Sequence, residues 1–240
     1  MSRLFTLSST ESLMSATIFP PIELDVNAEY GIGLRTFMSY NTISNIKKDI
    51  TDHFHIFGDE AITFPAGTYG TEEIFKFIEK RVEETRIARD LPPEKHNIKF
   101  SVDSSTGHVR FIATFDVSMM EDNSIGPLLG FTQKVLLLKD MTHTAPSPVN
   151  IFNYNSINIE CNLLASDSYF NSSPSTILHS FNPDVDINYR IIHSPSPIVY
   201  LRINRNVIDF IQLRVVDERG SLLDFRKENI TIVLELIRLQ

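Results

Sequence analysis

The sequence predicts an all-β fold: an antiparallel β-sandwich carrying one inserted α-helix. Three observations carry this. Apolar and polar residues alternate with a period of two along most of the chain, the mark of half-buried strands. Twelve prolines and nine glycines are spread along the 240 residues as punctuation between short elements. A single stretch has the 3.6-residue period of an amphipathic helix.

In chain order, the first residues, "MSRLFTLSSTESLMSA", lack a continuous apolar stretch because Ser, Thr and Glu11 interrupt it. That makes a poor signal peptide. Residues 1–15 are read as an N-terminal arm, and 16–240 as one domain, a size within the usual range for a sandwich. In "AEYGIGLRTFMSY", Tyr30, Ile32, Leu34, Thr36 and Met38 share one strand face. Short strands follow at "HFHIF" (53–57) and "AITF" (61–64). The helix spans about 71–89, with Ile74, Phe77, Ile78 and Val82 on one stripe. Thr71 is the expected N-cap, Glu72 and Glu73 complement the positive helix end, and Leu91-Pro92-Pro93 stops it. The stripe needs a partner, so the helix is expected on one face of the sandwich.

Next comes a hairpin signal. Ile98, Phe100 and Val102 share a face before the turn "SSTG"; Val109, Phe111, Ala113, Phe115 and Val117 share one after it. "SIGPLLGF" (124–131) reads as a short helix, and "MTHTAPSPVN" (141–150) as a loop, with Pro146 and Pro148 blocking regular pairing. In "INIECNLL", Cys161 shares parity with Ile157, Ile159 and Leu163, so it is expected as a buried thiol. "YRIIH" (189–193) and "PIVYLRI" (197–203) are strand candidates. The chain closes on two strands around the turn "DERG", with Ile211, Leu213 and Val215 on one face and Ile230, Ile232, Leu234 and Leu236 on the other strand. The closing pair reads as a tight hairpin whose first face shares a core with Phe111, Phe115, Ile159 or Cys161. Strand count alone leaves jelly roll, immunoglobulin-like and other Greek-key topologies open.

Composition and motifs exclude most chemistry. The net charge of −8 argues against a general nucleic-acid binder. The one cysteine permits no intrachain disulfide. The longest aliphatic run, Val135 to Leu138, is far short of the roughly 20 residues of a membrane helix. The sequons at Asn171 and Asn229 matter only in a secreted chain. His53 and His55 fall on one side of a strand, but a metal site needs a third ligand and Asp52 is expected on the opposite face. The pair therefore reads as an exposed strand face. "GTYG" (67–70) lacks the lysine and glycine spacing of a phosphate loop. "DERG" reads as a solvated turn rather than a calcium rim. No G-x-S-x-G elbow is present. No catalytic, cofactor or metal residue is assigned, and the chain is expected not to be an enzyme.

The segments "SATIFPPIELDVNAEYGIGLRTFMSYNTISNI", "FPAGTYGTEEI", "NSIGPLLGF", "INIECNLL" and "VIDFIQLRVVDERGSLLDFRKENITIVLEL" together resemble the minor capsid (penton) protein of Maverick/Polinton elements and adintovirus-like DNA viruses. The resemblance runs from about Leu13 to the C-terminus. It implies a single jelly roll, a homopentamer at the five-fold vertices of an icosahedral capsid, and a double-jelly-roll major capsid protein as partner. It also implies a place in the virion, with no cofactor, no membrane and no direct nucleic-acid contact. Two sites depart from the family pattern. Lys227 stands where F-R-G-E has its glycine, so the backbone there is expected to avoid positive φ. Leu178-His179-Ser180-Phe181 stands for I-H-E-F. A carbohydrate- or receptor-binding jelly-roll module is the alternative; the lack of tryptophan weakens it and seven tyrosines sustain it. A β-sandwich hydrolase comes third.

Overall fold

The computed structural model describes residues 2–58, 60–93, 96–132, 134–152, 154–165, 168–170 and 173–239. The chain divides into two compact units: Met1–Ile43 with Tyr154–Gln240, and Ser44–Asn153. The first unit begins with β1 (Ser2–Ser9), β2 (Leu13–Glu23) and β3 (Tyr30–Tyr40). The second unit is then inserted, with β4 (His53–Ile56), β5 (Glu60–Thr63), α1 (Thr71–Ala88), β6 (Ile98–Val102), β7 (His108–Ala113), β8 (Val117–Met119), β9 (Val135–Leu137) and β10 (Thr142–Pro148). The chain returns to the first unit with β11 (Ile157–Cys161), β12 (Ser168–Phe170), β13 (Ser173–Ser175), β14 (Ile177–Phe181), β15 (Arg190–His193), β16 (Leu201–Arg202), β17 (Val207–Val216) and β18 (Ile230–Arg238). No described helix is long and apolar enough to cross a membrane.

The first unit is a jelly-roll sandwich. One sheet has the order β1-β18-β3-β15, with β16 also on β3; the facing sheet has the order β14-β11-β17-β2. Set aside the β12–β13 hairpin and take β15 and β16 as one strand. The main strands of this unit then run first-eighth-third-sixth in one sheet and fifth-fourth-seventh-second in the other. This is the double Greek-key winding of an eight-stranded jelly roll, and all the pairings are antiparallel. The expected fold class is therefore the observed one. Between the sheets lies one core that includes Phe5, Phe37, Ile159, Cys161, Ile211, Leu213, Val215, Ile232, Leu234 and Phe225.

Several sequence expectations change in this unit. Residues 2–9, expected in an arm, form β1, which pairs along β18 and buries Phe5 and Leu7. β17 and β18 are not a hairpin: β17 pairs with β11 and β2, whereas β18 pairs with β1 and β3. The "DERG" turn does form. Gly220 takes φ +78°, and its N–H donates to the Asp217 carbonyl at 3.1 Å. It turns the chain back only as far as Leu223, whose N–H meets the Val215 carbonyl at 3.1 Å. The chain then crosses to the opposite sheet. Alternation shows which face of a strand is buried, but not which strand lies beside it.

β3 also breaks its predicted parity. Ile32 and Leu34 are buried, but beyond Arg35 the buried residues are Phe37 and Ser39, not Thr36 and Met38. Leu34 pairs with Leu234 and Thr36 with Val233, so Arg35 is one residue too many. Such a bulge switches the inward face. The closing strand keeps its predicted face: Ile230, Ile232, Leu234 and Leu236 are all buried.

The second unit has its own core, and this accounts for Phe111 and Phe115, which pack there rather than with Ile211. Its sheets run β10-β7-β6 and β5-β4-β8-β9. The predicted β6–β7 hairpin forms, with Phe100 opposite Phe111 and Val102 opposite Val109. The α1 stripe buries Ile74, Ile78 and Val82 in this core rather than on the jelly roll, with Phe75 stacked on Phe100 at 4.8 Å between centroids. The N-cap is Gly70, not Thr71, and the Glu73 carboxylate accepts the Gly70 N–H at 2.8 Å. The expected short helix is a 3-10 turn at Gly126–Leu129. The expected loop at 141–150 contains β10, whose register slips between Thr144 and Pro148. β10 is an edge strand with β7 on one side only, so its prolines remove N–H groups that the ladder does not use.

Candidate assembly surface

The jelly roll presents two contrasting edges. At one, β2 borders its sheet. Thr17 pairs with Phe210 and Ile22 with Ile208, so the four residues 18–21 stand opposite Asp209 alone. Pro20 and Pro21 lack N–H donors, which prevents regular pairing there. The chain bulges outward and Phe19 is 92% exposed. Leu13, Val207 and Phe210 are exposed on the same two strands. An apolar knob on an interrupted edge repels a continuing sheet but can enter a neighbour's recess.

At the other edge, β14 and β15 border opposite sheets. Exposed Tyr189 and Ile192 lie here. Just inside, His179 on β14 and His193 on β15 approach with their Nε2 atoms 2.9 Å apart. The His193 ring stacks on Phe181 at 4.1 Å between centroids and 3° between planes. Burial lowers the pKa of both histidines, His193 lowers that of His179 further, and Asp184 acts in the opposite direction on His193. Sequence reasoning assigned this pair no chemistry: the residues are 14 apart in the chain, and only the jelly-roll winding brings β14 and β15 together.

On the outer side of the first sheet, Glu235 accepts from Ser2 Oγ at 2.5 Å, Tyr200 Oη at 3.0 Å and an Arg35 nitrogen at 3.1 Å. These donors hold its carboxyl below the usual range, the Ser2 hydrogen bond most of all. A cleft of about 350 Å³ near the start of β3 is lined by Asp25, Glu29, Tyr30, Arg202, Asn204 and Arg205, among others. Arg202 pairs with Glu29 at 2.6 Å across it.

The residues weighed from sequence for chemistry fall as follows. His53 and His55 stack at 5.9 Å between centroids. Asp52 alternates with the two histidines and is buried, with Oδ1 3.1 Å from His53 Nδ1 and Oδ2 accepting the Asp49 N–H. The two histidines are half-buried rather than exposed. Among the described residues, no group of three or more His, Cys, Asp or Glu is placed to hold a metal ion. At "GTYG", Tyr69 exchanges hydrogen bonds with the Asn45 side chain, and Glu73 occupies the helix terminus that an anion would use. In "DERG", Asp217 Oδ1 accepts the N–H groups of Arg219 and Ser221. Cys161 is buried as expected, and burial pushes its thiol up to about 11. The sequon at Asn171 lies outside the described residues.

No family model matches the chain, and no curated protein does. Among solved structures, the crystal structure of the selenomethionine-labelled mavirus penton protein is 13% identical and covers 99% of each chain, at a TM-score of 0.51. A chain in the cryo-EM structure of the Sputnik virophage is 12% identical over 99% of this chain and 98% of that one, at a TM-score of 0.45. The jelly roll with its insertion is therefore a fold that this chain shares, over nearly its whole length, with the mavirus penton protein.

Proposed function

We propose that the chain is a structural, non-enzymatic subunit of a viral capsid: a penton-like protein that closes into rings of five at the vertices of an icosahedral shell. The observation that carries this reading is the likeness over nearly the full length to a penton protein, insertion included. Its partners are further copies of itself and a double-jelly-roll major capsid protein of the kind that Maverick/Polinton and adintovirus-like elements encode. Its place is the virion, where it contacts neither membrane nor nucleic acid directly. A closed ring uses heterologous contacts, one flank of a subunit meeting a different flank of the next. The β2 edge with Phe19 and the β14/β15 edge with Tyr189 and Ile192 are two such unlike flanks.

The test is the mass of the purified protein in solution, with images of its largest species. Five-fold rings are expected, and Phe19→Ser should reduce their population without lowering the melting temperature. A strictly monomeric or trimeric protein would instead favour the second reading, a carbohydrate- or receptor-binding module using the cleft beside Tyr30. That reading comes second because the charges in the cleft already engage one another: Arg202 with Glu29, and Asp25 with Arg238.

A further inference from the structure

We propose that His179 and His193 form an acid-released latch between the two sheets of the jelly roll. Nothing in this inference depends on the capsid reading. β14 and β15 are edge strands of opposite sheets, so the ladder hydrogen bonds of neither sheet join them. The connection between them is pinned on its β15 side: the Asn41 side chain donates to the Val185 carbonyl at 2.9 Å, and its backbone bonds to Asn188 and Tyr189. Between the strands themselves, the two imidazoles meet with ring centroids 5.1 Å apart, against Phe181, whose ring lies 5.2 Å from that of Phe37.

The proton count decides how the contact behaves. At 2.9 Å, one Nε2–H donates to the lone pair of the other Nε2. The donor ring thus keeps a free Nδ1, and the acceptor ring carries its own proton on Nδ1. A first added proton goes to the free Nδ1 of the donor ring. The bond between the rings survives and becomes charge-assisted. A second proton must take the accepting Nε2 itself. Two N–H groups then face each other, with two positive charges at the same distance, and the contact breaks. The pair therefore titrates in two coupled steps, and the second opens it.

Each element around the pair bears on this. Asp184, in the β14–β15 connection, favours a proton on His193. β3 places Phe37 opposite His193, and β11 places Ile159 opposite His179; neither side chain titrates. On β15, Arg190 has the opposite parity to His193 and points to the other face. Burial disfavours both charged forms. The folded-state affinities for protons are thus below the unfolded value of about 6.5, and the unfolded chain binds more protons as pH falls. Stability from the pair is complete above that value and declines as pH drops through the lower folded-state range.

Hydrogen exchange of the full chain at pH 7.5 and 4.5, corrected for the intrinsic pH dependence, tests the latch. At the lower pH, β14, β15 and residues 182–189 should lose protection by about tenfold or more, while β18 keeps its own. His193→Phe retains a ring on Phe181 but cannot be protonated, and His179→Gln leaves one titrating partner. Both variants, once shown by their melting transitions to be folded, should have equal protection of these segments at the two pH values. Unchanged protection in the parent protein, loss spread equally to β18, or the full parental loss in either folded variant would each overturn the proposal.

Discussion

At the scale of single residues, Lys227 shows how a local rule yields to a tertiary demand. A lysine is expected to avoid positive φ, yet Arg226 and Lys227 take φ +54° and +65°. The segment must leave the "DERG" turn and cross to the opposite sheet within a few residues. Two successive left-handed residues make that bend, which an L side chain tolerates at a cost. The Lys227 ammonium pairs with Glu11, an exposed contact that offsets little of this cost. Lys227→Gly should therefore raise the melting temperature by about 2 °C, and Lys227→Val should lower it; calorimetry on the two variants decides. Cys161 is the opposite case, a residue read correctly from parity alone. Its thiol lies in the same core as Ile159 and Leu163, and burial pushes it up to about 11. A disulfide reagent at pH 8 should modify it at least about a hundredfold faster in urea than in native buffer, because the thiolate is both scarce and inaccessible in the folded chain.

At the scale of elements, the informative case is β1. Its alternation is short and interrupted by hydroxyl residues, so it reads as an arm. In the structure it is the outer strand of the first sheet, and Ser2 to Ser9 pair in unbroken register with Ile237 to Ile230. Phe5 and Leu7 enter the core. An arm could be removed without effect; β1 cannot. Deleting residues 2–9 should lower unfolding free energy by at least about 4 kcal/mol, since losing each buried Phe or Leu costs about 2–5 kcal/mol. It also leaves β18 as a bare edge. A urea titration with an unchanged midpoint would show that these pairings contribute nothing. The helix gives the complementary lesson. Its span and its stripe were legible because Ile74, Ile78 and Val82 repeat with a strict period. The surface that receives them was not, because a stripe specifies only that something apolar must cover it.

At the scale of the whole molecule, charge and fold lead to a prediction on assembly. Each chain carries −8 at neutral pH. In the proposed ring of five, the chains would repel one another at long range, while apolar flanks would favour contact. Salt shortens the screening length from about 30 Å at 0.01 M to about 8 Å at 0.15 M. Ring population should rise with salt, and also as pH falls from neutral toward the sequence pI near 5.4. Light scattering across a salt series reads this directly. Rings that dissociate as salt rises would instead show that specific ion pairs at the interface outweigh net repulsion.

What the sequence determined by itself was the class of the fold and the inward side chains of its regular strands. Ile211, Leu213 and Val215, like Ile230 to Leu236, needed nothing beyond a period of two, because burial of one face is written into every strand that has one. The β6–β7 hairpin was legible for a related reason: its partners are joined by a short turn, so proximity in sequence is proximity in space. Tertiary structure decided the rest. It separated β17 from β18 into facing sheets, placed the extra residue at Arg35 so that β3 changes its inward face, and gave the 44–153 insertion a core of its own. It also brought His179 to His193. Each of these depends on which strand lies beside which. That choice is made by the packing of residues far apart in the chain, and local alternation is the same for every strand order that buries the same faces.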